Sequence, residues 1–121
     1  MSEPWSIEAD STRPLEFEIA GESPHVFSYR FWYRLPAEKR WTKFAEGHTG
    51  VALPDRFTVG PLVPNSEVSY WIGVGGHGNS AYRVHISVRQ DGTEVPGGVF
   101  RHDGTTTGEG GAVVQNQLLL G

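Results

Sequence analysis

The sequence predicts an all-β domain, an antiparallel β-sandwich of about eight strands. Three observations predict it. Glycine (16) and proline (8) interrupt the chain at short intervals. Between them, apolar residues recur at every second position, the period of a half-buried strand. Helix signals are nearly absent, since the longest run of good helix formers is residues 36–40 and the stretch 35–40 reads better as a turn. A chain of 121 residues is expected to form one domain over 1–121 with a core of its own. Residues 1–12 are a candidate flexible N-terminal arm.

The strands follow in order. Residues 14–20 place Leu15, Phe17 and Ile19 inward and Glu16 and Glu18 outward. Residues 25–35 place Phe27, Tyr29, Phe31, Tyr33 and Leu35 inward. Shorter strands are expected at 39–45 and 56–60. Residues 66–74 put Val68, Tyr70, Ile72 and Val74 on one face, and residues 81–90 do the same with Tyr82, Val84, Ile86 and Val88. The Asp91-Gly92 pair signals a two-residue hairpin, because both central residues of a type I′ turn need positive φ. A strand at 93–101 follows it, and the last strand covers roughly 111–120. The intervening 104–111 segment, GTTTGEGG, reads as a flexible loop.

Leu62, Pro64, Ser66 and Val68 fall at the positions of a Leu-x-Pro-x-Thr-x-Tyr corner. This segment resembles the corner before a late strand in immunoglobulin-like and fibronectin type III-like sandwiches. The tyrosine of that corner is missing here, so the resemblance implies topology alone. The sandwich is expected to be immunoglobulin-like or jelly-roll-like.

Composition excludes several functions. Net charge is −4 and the pI is near 5.7, which argues against a general affinity for nucleic acid. The chain has no cysteine, hence no disulfide, thiolate site or cysteine nucleophile. No apolar run approaches the roughly 20 residues of a membrane helix. No basic-then-apolar leader pattern is visible. The expectation is a soluble cytoplasmic protein with no nucleic-acid or membrane partner; non-classical export stays open. Charge is unevenly spread: residues 1–22 carry six acids and one base, and residues 30–43 carry five bases and one acid. Mutual neutralisation of these two segments is the simplest expectation.

Catalytic signals are weak. Gly73-Val74-Gly75-Gly76-His77-Gly78 fits G-x-G-x-x-G, but a strand follows it, whereas a dinucleotide site needs a helix N-terminus there. The five histidines, His25, His48, His77, His85 and His102, stand in no metal-ligand spacing; His77 and His85 are the one pair worth testing. No G-x-S-x-G occurs, and nothing brings Ser80, His85 and Asp91 together as a triad. The carboxylates Asp55, Asp91 and Asp103 sit in turn-like contexts, while Glu16 and Glu18 face solvent. An enzyme is the minority reading, and neither cofactor nor metal is implied.

The unexplained feature is the outward face. Trp32 alternates with Arg30 and Arg34 on the outside of its strand. Strands 66–74 and 81–90 are expected to pair as an antiparallel hairpin, which sets Trp71 opposite Arg83 or His85 on the outer face. If both strands share a sheet, Trp32, Trp71, Arg30, Arg34, Arg83 and His85 form one platform. A cluster of outward aromatics usually marks an interaction surface, although arginine stems laid across the rings, or Trp5 folded over them, would satisfy them locally. The last strand is apolar on both faces through Val113, Val114, Leu118, Leu119 and Leu120, so Leu118, Leu119 and Leu120 are candidate oligomer contacts. Three functions follow. The first is a non-catalytic binding module for carbohydrate or a polar peptide. The second is a self-associating interaction protein with the aromatic face and C-terminal strand buried between subunits. The third is a metal-dependent β-sandwich enzyme.

Overall fold

A computed structural model describes residues 5–21, 26–49 and 55–121; the side chains of Trp5 and Thr49 are outside that description. Among the described residues the protein is all-β, with nine strands and no helix. They are β1 (Trp5–Ile7), β2 (Leu15–Gly21), β3 (Val26–Arg34), β4 (Thr42–Thr49), β5 (Asp55–Val59), β6 (Glu67–Gly75), β7 (Ala81–Gln90), β8 (Thr93–Thr105) and β9 (Gly111–Leu120). They form a five-stranded sheet, β1-β9-β6-β3-β4, and a four-stranded sheet, β5-β2-β7-β8. All pairs are antiparallel except β1 with β9, which run parallel.

β2, β3, β6 and β7 bury the faces that their alternation dictates. Leu15, Phe17 and Ile19 of β2 are buried, as are Phe27, Tyr29 and Phe31 of β3. Val68, Tyr70, Ile72 and Val74 of β6 and Val84, Ile86 and Val88 of β7 complete the stripes. The stripes of the two sheets meet in one core. Phe17 of the smaller sheet lies 5.6 Å from Phe31 of the larger, and Phe31 lies 4.8 Å from Phe57 and 5.3 Å from Tyr70. Such tilted and stacked ring pairs add to the burial of large apolar area. Tyr29 reaches the rim of this cluster and donates its hydroxyl to Asp55 at 2.8 Å. Burial, helped by that bond, pushes its pKa up to about 12.

The expected hairpin between residues 66–74 and 81–90 does not form. β6 pairs with β3 and β9, whereas β7 pairs with β2 and β8 in the other sheet. The chain crosses between sheets through the glycine-rich 76–80 loop. That loop leads into a strand, which confirms that the G-x-G-x-x-G run opens no helix. The expected hairpin at Asp91-Gly92 does form: Gln90 faces Thr93, and φ is +52° at Asp91 and +79° at Gly92.

Two segments expected to be loose are tied down. Residues 5–7 are a strand, and the following turn is held by Gln90. Its side chain donates to the carbonyls of Asp10 (2.8 Å) and Arg13 (3.1 Å) and accepts from the Asp10 amide (2.8 Å). The 104–111 segment is bonded to the 76–80 loop. Gly76 donates to the Gly110 carbonyl and Asn79 to that of Thr107, while the buried Thr106 hydroxyl donates to the His77 carbonyl at 2.6 Å. Threonine hydroxyls supply partners that the glycine content conceals.

No helix of the described structure is long and apolar enough to cross a membrane.

Candidate functional site

The outer face of the five-stranded sheet gathers the aromatic residues that the core does not use. Register decides which residues meet. β3 pairs with β6 so that Arg30 stands beside Trp71, and Trp32 beside Ser69. Trp32 and Trp71 therefore share one face of one sheet as diagonal neighbours. β9 continues the rows with Gln115 beside Trp71 and Gln117 beside Ser69.

A bulge brings in a third indole. Along β4, Ala45 and Gly47 pair with the inward Phe31 and Tyr29, so odd-numbered residues begin on the inner side. The register shifts between Phe31 and Trp32, and beyond it Lys43 faces the outward Trp32. The extra residue, Phe44, turns its ring into the core, 5.5 Å from Phe17 and 6.0 Å from Phe31. The phase of the strand is thereby reversed, and Trp41 comes to the outer face level with Arg34. The Arg34 guanidinium lies 4.5 Å from the centre of the Trp41 ring. Trp32, Trp41 and Ser69 line a depression of about 230 Å³.

The indoles are half-buried. A Cβ added at Gly73 would lie 2.6 Å from Cη2 of Trp71, so the Trp71 ring lies along the strand over the glycine. The Arg30 guanidinium sits 5.3 Å from the centre of that ring. Arginine over indole was one way for these rings to be satisfied, and it occurs at Trp71 and Trp41.

Three cations of this face have carboxylate partners. Arg34 pairs with Glu67 at 2.8 Å, Arg30 with Glu46 at 3.3 Å and Lys43 with Glu46 at 3.1 Å. The hydrogen bond and charge of Lys43, with Arg30 behind them, hold the Glu46 carboxyl below its usual range. Glu67 also accepts a bond from the Gln117 amide. Three of the five bases of residues 30–43, Arg30, Arg34 and Lys43, thus pair with Glu46 of β4 and Glu67 of β6 rather than with the described acids of residues 1–22, where neutralisation was expected. Glu18 of the acidic segment instead pairs with Arg56 at 2.8 Å and approaches Arg89 at 3.7 Å.

The six residues expected to form one platform divide between the sheets. Arg30, Trp32, Arg34 and Trp71 are together on the larger sheet. Arg83 and His85 are on the other sheet, where β8 places Asp103 and Arg101 beside them. Alternation fixed the outward side of β7 but not the sheet to which it belongs. Arg83 is 3.3 Å from Asp103. The candidate oligomer contacts change as well. Leu118 and Leu120 are 0% and 1% exposed within the single chain, and Leu119 is half-buried beside Ser6 and Glu67. β1 pairs with the end of β9 over Leu118, Leu119 and Leu120, so that stretch is not an open sheet edge. Trp41 was missed from the sequence; its signal was a tryptophan just past a predicted turn, at the start of a short strand whose phase could not be read.

Other candidates do not assemble. His77 sits in the 76–80 loop and His85 within β7, and His25 lies outside the described residues. Among the described residues no three His, Cys, Asp or Glu side chains group as a metal-holding set. His48 on the outer face shares a 3.1 Å hydrogen bond with Ser28. His102 reaches the core through Tyr70: Asn116 donates to the Tyr70 hydroxyl at 3.3 Å, and that hydroxyl bonds Nε2 of His102. On the opposite sheet, Glu16, Glu18, Arg56, Thr58, Arg89 and Gly92 rim a groove of about 470 Å³ in which Arg56 and Arg89 both approach Glu18.

No protein-family model matches the chain, and no curated protein or solved structure matches it either.

Proposed function

We propose that this chain is a non-catalytic binding module, a β-sandwich that takes carbohydrate on the outer face of its five-stranded sheet. The observation that carries the reading is the depression lined by Trp32, Trp41 and Ser69, with the half-buried Trp71 on the same face, its ring reaching over Gly73. Indole faces present apolar area for the C–H faces of sugar rings, and Ser69, Gln115 and Gln117 offer donors and acceptors for sugar hydroxyls. Arg34, fixed by Glu67, holds Trp41 in place rather than waiting for a charge. Arg83 and His85 have no part in this site.

Screening on a glycan array followed by titration of intrinsic fluorescence tests the reading. Trp32→Ala should weaken the detected binding about tenfold or more, as loss of an aromatic anchor does. If Trp32→Ala, Trp41→Ala and Trp71→Ala all leave binding unchanged, the platform is not the site.

Self-association is the second reading, and one observation favours it. At the far end of the same face Val113 is 58% exposed and Val26 45%, on either side of the glycine-bearing end of β6. Light scattering at high concentration decides it: a strict monomer removes this reading.

A further inference from the structure

We infer that the ligand of this face is an uncharged, linear oligosaccharide lying diagonally across the strands and covering all three indoles. The inference rests on the carbohydrate reading above.

The register supplies the geometry. Trp41 precedes β4 at the level of Arg34, Trp32 lies on β3 one step on, and Trp71 lies on β6 at the level of Arg30. Each step moves one strand across and two residues along. With strands about 4.8 Å apart and a rise of about 3.3 Å per residue, a step is about 8 Å and the row about 16 Å between backbone positions. A single sugar ring would cover one indole and leave the others idle. A chain of rings can meet all three.

Charge supplies the chemistry. Arg30, Lys43 and Arg34 flank the row, and Glu46 and Glu67 already accept from them; the exposed Lys39 and Arg40 precede Trp41 at its end. An anionic sugar would have to displace a carboxylate that then repels it. Also beside the row stand Ser69, Gln115 and Gln117, neutral groups suited to hydroxyls, with Gln117 also donating to Glu67. A proline-rich peptide also stacks on aromatics, but its prolines can only accept from these groups, whereas sugar hydroxyls both donate and accept.

The test uses the full chain. Fluorescence and calorimetric titrations compare neutral linear gluco-, xylo-, manno- and galacto-oligosaccharides of increasing length with oligouronates and a proline-rich peptide, each at low and high salt. The expected result is binding of a neutral series that tightens about tenfold from disaccharide to the longer chains and ignores salt. Trp71→Ala should flatten this dependence on length, and Trp71→Phe should restore part of it. Tighter binding of the oligouronates, with loss in salt, overturns the inference while the carbohydrate reading stands. A neutral series with no dependence on length does the same. Binding of the peptide alone, or of nothing, overturns both.

Discussion

Ser66 shows how far a single residue can depart from its surroundings without breaking them. It is fully buried at the corner before β6, and its hydroxyl has no hydrogen-bond partner among the described residues. Its backbone does the structural work, accepting from Leu120 at 2.9 Å and donating to Val63 at 3.2 Å. An unpaired buried hydroxyl costs free energy. Ser66→Ala should therefore leave stability unchanged or raise it by about 1 kcal/mol, read from urea unfolding. His102 makes the opposite case. Burial holds its pKa below the usual value near 6.5, partly offset by Asp103. The unfolded chain takes up the proton first, so this contribution is complete above that value. It is lost as pH falls through the lower native value. Comparing urea midpoints at about pH 7.5 and about pH 5.5 should show a smaller acid loss in His102→Gln than in the parent chain. An equal loss would mean that other groups set the acid limb.

At the scale of elements, alternation told which side of a strand faces the core but not which strand lies beside it. The inward residues of β2, β3, β6 and β7 were legible because a period of two needs no knowledge of neighbours. Closeness in sequence predicts a β6–β7 hairpin but does not fix closeness in the sheet: β6 pairs with β3 and β9, and β7 with β2 and β8. Their separation moved Arg83 and His85 away from the indoles. Trp41 was illegible for another reason. A bulge is a local backbone event, and one extra residue at Phe44 reverses every side chain before it. β1 is only three residues long, too short for any period to show. It is held by parallel pairing with β9, and the turn after it by long-range bonds from Gln90, none of which a local pattern records. Gln90→Ala removes three hydrogen bonds, leaving the Asp10 amide and the Arg13 carbonyl without these partners, and should cost about 1–3 kcal/mol. Hydrogen exchange should then quicken at residues 5–13 before it quickens in β6; uniform exchange would show that Gln90 does not clamp this segment.

Over the whole molecule, aromatic residues are divided between two tasks. Phe17, Phe31, Phe44, Phe57 and Tyr70 join the sheets from within, and removing the central ring with Phe31→Ala should cost about 3–5 kcal/mol by chemical denaturation. Trp32, Trp41 and Trp71 add little to that core and stand together outside it. Their common side is a consequence of the β3–β6 register and the β4 bulge, and it is the feature on which the proposed function depends. The four indole N–H groups of the chain give a direct readout by two-dimensional NMR. On titration with the best neutral oligosaccharide from the array, the signals of Trp32, Trp41 and Trp71 should move together and saturate at one concentration. If those three stay still while amides of β2 and β7 shift, the ligand sits on the other sheet and the account is wrong.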